Sequence, residues 1–121
     1  MSVLIYDENK QKRYAMEELI RQLNLENSDD VDIFSFDDPE KALDYAGQDD
    51  VETAFISMDD KQGRGLFLAK RLKKLDSDMN LIPMAEKLKY GQELISLHVS
   101  GYILGDRTRE KVLDELDNLR Y

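Results

Sequence analysis

Cysteine is absent from the 121 residues, and histidine occurs once. Without thiols there is no disulfide framework and no thiolate metal site, and the natural expectation is a cytoplasmic protein. With a lone histidine, His98, there is no imidazole cluster for metal or for paired acid–base work. Excess positive charge is also missing: the formal net charge is −9. A phosphate-binding face needs clustered Lys and Arg, so neither direct nucleic-acid binding nor docking on an anionic membrane is expected. No apolar run approaches membrane-spanning length. The opening MSVLIYDENK has a short apolar stretch with no basic lead-in, which does not read as a signal peptide. No linker, internal repeat or low-complexity segment interrupts the chain, so one domain over residues 1–121 is expected.

What is present is an alternation. Short apolar, β-branched or aromatic runs at Val3–Tyr6, Val31–Phe36, Thr53–Ile56, Asn80–Met84 and Gly101–Leu104 have strand length. Between them lie helical stripes. Met16, Leu19, Ile20 and Leu23 predict a helix from about Lys10 to Leu25, and Leu68, Ala69, Leu72 and Leu75 predict another. Tyr90, Leu94 and Leu97 make a weaker stripe; Val112, Leu113, Leu116 and Leu119 make the clearest. Asp38-Pro39-Glu40 supplies an N-cap, a proline at the first helical position and an acidic first turn, and Thr108 is placed to cap the last helix. Asp29-Asp30, Asp49-Asp50 and Asp76-Ser77-Asp78 mark returns from helix to strand.

Five strands alternating with helices predict an α/β protein with a parallel sheet covered on both faces. In such sheets ligands gather at the carboxyl ends of the strands. The residues there are Asp7-Glu8, Ser57 to Asp60, Ala85-Glu86 and Gly105-Asp106.

At these places the chain resembles response-regulator receiver domains. VLIYDEN is similar to their first strand and acidic pair, AFISMDDKQGRGLFLAKRLKKL to their third strand, phosphorylation loop and third helix, and NLIPMAEKLKYGQELISLHVSGYILGD to the fourth strand through the fifth. LHVSGYIL also resembles receivers that precede LytTR-type DNA-binding domains. The resemblance implies the flavodoxin/CheY-like (βα)5 sandwich with strand order 2-1-3-4-5. It also implies a role in two-component phosphorelay signalling, regulatory and not enzymatic.

Carried over position by position, the resemblance puts Asp7 and Glu8 where receivers hold a divalent metal. It puts Ser57 where they carry the phosphoacceptor aspartate, and Ala85 where they carry a hydroxyl sensor. Gly105 stands at the lysine position, and Tyr102 at the switching aromatic. An aspartyl phosphate forms because a carboxylate is already an anionic nucleophile; serine must first lose a proton. Without the lysine, added phosphate charge beside Asp7, Glu8 and Asp106 would be repelled. The expectation is a pseudo-receiver, not phosphorylated, that acts by protein–protein contact and regulates a DNA-binding output domain. The alternative is a phosphorylatable regulator whose acceptor is Ser57 or Asp59.

Period-two alternation puts Asp59 on the face of Ser57 but about 6–7 Å further along, which predicts that it passes the pocket. No cofactor is expected; Asp7 and Glu8 are the candidate ligands for Mg2+, with Arg107 or Lys87 as candidate counter-charges instead. Gly63-Arg64-Gly65 reads as a turn into a helix, Lys70 to Lys74 as a solvated helix face, and His98 as a helix C-terminal contact. A homodimer through the fourth helix, fifth strand and fifth helix is expected from Arg107, Arg109 and Lys111 lying near Asp114, Glu115 and Asp117.

Overall fold

The computed structural model describes residues 1–27 and 30–121. Elements run β1 (Ser2–Tyr6), α1 (Lys10–Asn27), β2 (Asp32–Phe36), α2 (Pro39–Gln48), β3 (Thr53–Ser57), α3 (Arg64–Leu75), β4 (Asn80–Ala85), α4 (Gly91–Ser96), β5 (Ile103–Leu104) and α5 (Arg109–Asp117). The strands form one parallel sheet in the order β2-β1-β3-β4-β5. This is the parallel sheet that the alternation predicts, in the CheY-like flavodoxin order that the resemblance implies.

Strand alternation divides the core in two. Leu4, Tyr6, Ala54, Ile56 and Leu81 face one way and pack with Ala42 of α2, Leu68, Ala69 and Leu72 of α3, and Leu94 of α4. Val3, Ile5, Phe55, Ile82 and Met84 face the other and pack with Met16, Ile20 and Leu23 of α1 and Val112 of α5. Each of the Val, Leu, Ile, Phe and Met side chains taken out of water contributes about 1.5–3 kcal/mol before chain entropy is charged against it. The central strands β1, β3 and β4 are buried nearly throughout, as a sheet covered on both faces requires.

Several helix signals act as expected. The Asp38 side chain accepts the Glu40 N–H at the start of α2, and the Thr108 hydroxyl accepts the Lys111 N–H at the start of α5. Gly63, at φ 70°, supplies the left-handed entry to α3. Asp76 Oδ1 accepts the Asp78 N–H in the following turn. The Asp29 part of the expected turn at Asp29-Asp30 lies outside the described residues.

Other expectations need correction. β5 was expected over Gly101–Leu104 but pairs only as Met84↔Ile103 and Ala85↔Leu104. The cause is Pro83. Carbonyls of Leu81 and Ala85 accept from Ser100 and Gly105, so Pro83 between them turns its nitrogen toward β5, and it has no N–H to give. Tyr102 is therefore half-buried ahead of the strand and not part of it.

The stripe expected for the fourth helix shortens as well. Tyr90 is the N-cap, at φ 58°, and Leu97 the C-cap of a helix of six residues. Leu75, expected on the core face of α3, is exposed at the last turn, and Leu119 falls beyond the end of α5. Lys73 departs from the solvated face expected for Lys70 to Lys74: its ammonium donates to the carbonyls of Ser77 and Met79 at 3.0 and 2.8 Å. Burial lowers its pKa from the ordinary lysine value.

Candidate functional site

Asp7 follows β1 immediately and Ser57 ends β3, so both stand at the carboxyl edge on the face covered by α1 and α5. They are 3% and 5% exposed. With Glu8, Asp59 and Asp60 they line a cavity of about 240 Å³.

Of the acids at this cavity, Asp7 is the buried one. Its Oδ1 accepts the Asn9 N–H at 2.9 Å, which turns the chain into α1. Its carbonyl accepts Arg13 Nη1 at 2.9 Å, and its N–H donates to Phe36 at 3.1 Å. Its Oδ2 lies 2.7 Å from Arg107 Nη1, with both side chains largely withdrawn from water. Neither atom has a well-directed hydrogen bond, so charge and proximity hold this contact. Of the two counter-charges read from sequence, Arg107 is the one that reaches Asp7; Lys87 is exposed.

The other acids are also engaged. Glu8 Oε1 meets Arg64 Nη1 at 3.2 Å and accepts the Tyr6 hydroxyl at 3.1 Å. Burial, reinforced by the Glu8 charge, pushes the Tyr6 phenol above its ordinary pKa, so it remains a donor. Arg64 also approaches Asp38 at 3.5 Å, tying the α3 entry to the α2 cap. Asp60 accepts from the N–H groups of Gln62, Arg64 and Gly65 at 3.1, 2.7 and 3.0 Å, which caps α3 where Gly63 has no side chain. Asp106 is exposed and lies outside this cavity.

Asp59 corrects the strand-rise expectation. The chain leaves β3 at Ser57, the next side chain, Met58, is fully buried, and the loop brings Asp59 to the cavity beside Ser57 instead of past it. Its two oxygens sit 3.1 and 3.3 Å from the Glu86 N–H, which they accept. The Ser57 hydroxyl accepts the Asp59 N–H at 3.3 Å, and no basic side chain is among its hydrogen-bond partners in the described residues.

At the far side of the edge, Ala85 is buried and its carbonyl accepts the Gly105 N–H at 2.9 Å. Gly105 is left-handed, at φ 73°. The Tyr102 hydroxyl donates to the Lys89 carbonyl at 3.2 Å and accepts the Lys89 N–H at 3.3 Å. This pins the loop before α4. His98 is exposed just beyond α4, at φ 54°, and its backbone N–H closes on Ile95.

Solved structures share this arrangement over nearly the whole chain. The Vibrio cholerae chemotaxis protein CheY4 is similar at TM-score 0.82 and 13% identity, covering 96% of this chain and 95% of that one. Response regulator TrrA of Thermotoga maritima, solved with Mg(2+)-BeF, is similar at TM-score 0.80 and 16% identity, with 96% of each chain covered. The response regulatory domain of mrkE from Klebsiella pneumoniae gives 0.79 at 21% identity, covering 98% and 94%. The fold is that of CheY-like receiver domains. No family model and no curated protein matches the sequence.

A receiver fold implies a divalent metal on acids at this edge. The residues present do not fit one. Asp7 Oδ2 already faces a guanidinium, Glu8 is shared between Arg64 and Tyr6, and a hydroxyl ends β3 where a third carboxylate would complete the oxygen set. Among the described residues no group of three or more His, Cys, Asp or Glu comes together in a metal-binding arrangement.

Sequence reasoning placed Asp7, Glu8 and Ser57 at one edge. It does not reveal that Arg64 pairs with Glu8 or that Asp60 caps α3. The GRG turn was the available signal, since a glycine N-cap needs a neighbouring acceptor for the first helical N–H groups. Among the described residues, no helix is long and apolar enough to cross a membrane.

Proposed function

We propose that this chain is a pseudo-receiver: a regulatory module of two-component type that is not phosphorylated and works by protein–protein contact. The observation that carries this reading is the hydroxyl of Ser57 at the end of β3, beside an Asp7 carboxylate already neutralised by Arg107. Aspartyl-phosphate chemistry needs an anionic nucleophile and a cation free to receive the phosphoryl group. Among the described residues no basic side chain hydrogen-bonds the Ser57 hydroxyl, Lys12 at the same cavity is paired with Glu86, and the Arg107 charge is held by Asp7. The atypical-acceptor reading draws support from Asp59 lining the same cavity, but its oxygens are turned to the Glu86 N–H.

The proposed partner is a protein, with a DNA-binding output domain as the family-based choice and the cytoplasm as the compartment. The exposed surface around α4 and β5 supports contact there: Leu88, Ile95 and Leu104 are 66%, 73% and 43% exposed. The mixed charges that suggested a homodimer through α4, β5 and α5 are largely satisfied within the chain. Arg107 meets Asp7, Arg109 meets Glu26 of α1, and Lys111 donates to the Leu104 carbonyl at 2.7 Å. A self-pairing interface on this side would therefore be apolar at its centre.

Incubation with acetyl phosphate and Mg2+, followed by intact-mass measurement, tests the proposal. The expected result is an unchanged mass. A gain of one phosphate that disappears in Ser57→Ala or Asp59→Asn would overturn it.

A further inference from the structure

Arg107 and Asp7 form a pair of unusual placement: a guanidinium supplied by the loop between β5 and α5 reaches across the sheet edge to the end of β1. The side chains are 13% and 4% exposed, and the nearest approach is 2.7 Å. The buried Oδ2 points at this cation, while the other oxygen is bound to the Asn9 N–H. A carboxylate so far from water demands a positive neighbour. Asp7 shares its cavity with Glu8, Ser57, Asp59, Asp60 and Lys12, while Arg107 approaches from the neighbouring groove beside Gly105 and Asp106.

We propose that Arg107 is the resident cation on Asp7: it takes the position on that carboxylate that a divalent metal would otherwise take, and makes this edge of the sheet metal-independent. A tethered guanidinium has two consequences that a bound ion lacks. Its charge is present at any metal concentration, and it fastens β1 to the β5–α5 loop. Arg109, two residues on, holds Glu26 near the end of α1, so the start of α5 is tied both to the end of β1 and to α1. The edge is thereby held in one arrangement regardless of metal supply. This goes beyond the pseudo-receiver reading and does not depend on which residue, if any, accepts phosphate.

Removing the guanidinium should free the Asp7 carboxylate for a cation. In Arg107→Ala the Asp7 carboxylate loses its partner, and Mn2+ should bind at least about tenfold more tightly than to the wild type, counted from the electron paramagnetic resonance signal of free Mn2+. The melting midpoint of Arg107→Ala in chelator should fall by about 5–10 °C, and MgCl2 should recover part of it at matched ionic strength. The wild-type midpoint should be the same in both solutions. Arg107→Gln keeps most of the side-chain volume and should show the same gain of Mn2+ should the alanine variant fold poorly. Adding Asp7→Asn to either variant should abolish the uptake.

Wild-type protein binding Mn2+ as tightly as Arg107→Ala would overturn the proposal, as would both Arg107 variants binding none. The second outcome would leave the pair a structural ion pair only. No phosphoryl donor is present in these experiments, so metal uptake by the wild type would sink this inference while leaving the acetyl phosphate result to decide the pseudo-receiver reading.

Discussion

One side-chain amide, that of Asn80 at the start of β4, grips both polar groups of the Tyr121 backbone. Asn80 Oδ1 accepts the Tyr121 N–H at 2.9 Å, and Nδ2 donates to the Tyr121 carbonyl at 3.3 Å. The same oxygen accepts the Ser100 hydroxyl at 2.7 Å, and the same nitrogen reaches the Glu52 carbonyl at 3.3 Å. Asn80 is 3% exposed, so these bonds form away from competing water. The residues after α5 are thus anchored at the amino edge of the sheet, opposite the acidic cavity. Asn80→Ala should destabilise the protein by about 1–3 kcal/mol in urea unfolding. It should also speed tryptic cleavage after Arg120, and unchanged cleavage would argue that the clamp does not hold the segment after α5.

Gly65 is required by the approach of α3 to β3. A β-carbon there would stand 2.0 Å from the Ser57 carbonyl oxygen, so the helix or the strand end has to move. Gly65→Ala should cost about 1–3 kcal/mol, read from the urea midpoint at constant slope.

Asp60 serves the same junction by accepting three N–H groups. Asp60→Ala should cost about 1–2 kcal/mol through the lost cap, with Asp60→Asn retaining part of the stability. Equal losses in the two variants would mean that the carboxylate charge, and not its acceptor geometry, dominates.

A carboxylate at Ser57 would share the buried face with Asp7, with one guanidinium between two acids. Ser57→Asp should lower stability at pH 7 by about 1–3 kcal/mol. Burial and Asp7 both raise the new pKa, so the folded state holds its proton more tightly than the unfolded chain. The deficit should therefore shrink as the pH falls toward 5, followed by urea midpoints across that range.

Glu115 provides a second pH signal. Burial raises its pKa above the ordinary 4.5, with the Tyr102 backbone N–H opposing and Asp114 adding to the rise. The folded state thus binds this proton more tightly than the unfolded state. Its contribution is full below pH 4.5 and is lost as pH climbs through the raised folded value. Glu115→Gln lacks this loss, so its stability relative to wild type should increase with pH through that window. A constant difference between the two proteins would refute the assignment.

Much of the scaffold was legible in the chain because it rests on periodicity. Burial on both faces demands near-continuous apolar strands, and amphipathic stripes demand helices between them; Val3–Tyr6 and Met16–Leu23 satisfied those demands by residue type alone. Caps at Asp38 and Thr108 were legible for the same local reason. β5 was not, because its length depends on the missing N–H of Pro83 on the neighbouring strand, some twenty residues earlier.

The candidate site divides along the same line. By itself the sequence determined which side chains stand at the carboxyl edge, including a hydroxyl in place of an acid at Ser57, since strand ends follow from local pattern. Only the tertiary structure decided how their charges are settled: Arg107 on Asp7, Arg64 on Glu8, and Asp59 turned back to Glu86. Those pairings join residues as much as a hundred positions apart, and Coulomb attraction depends on distance in space, which no local pattern records.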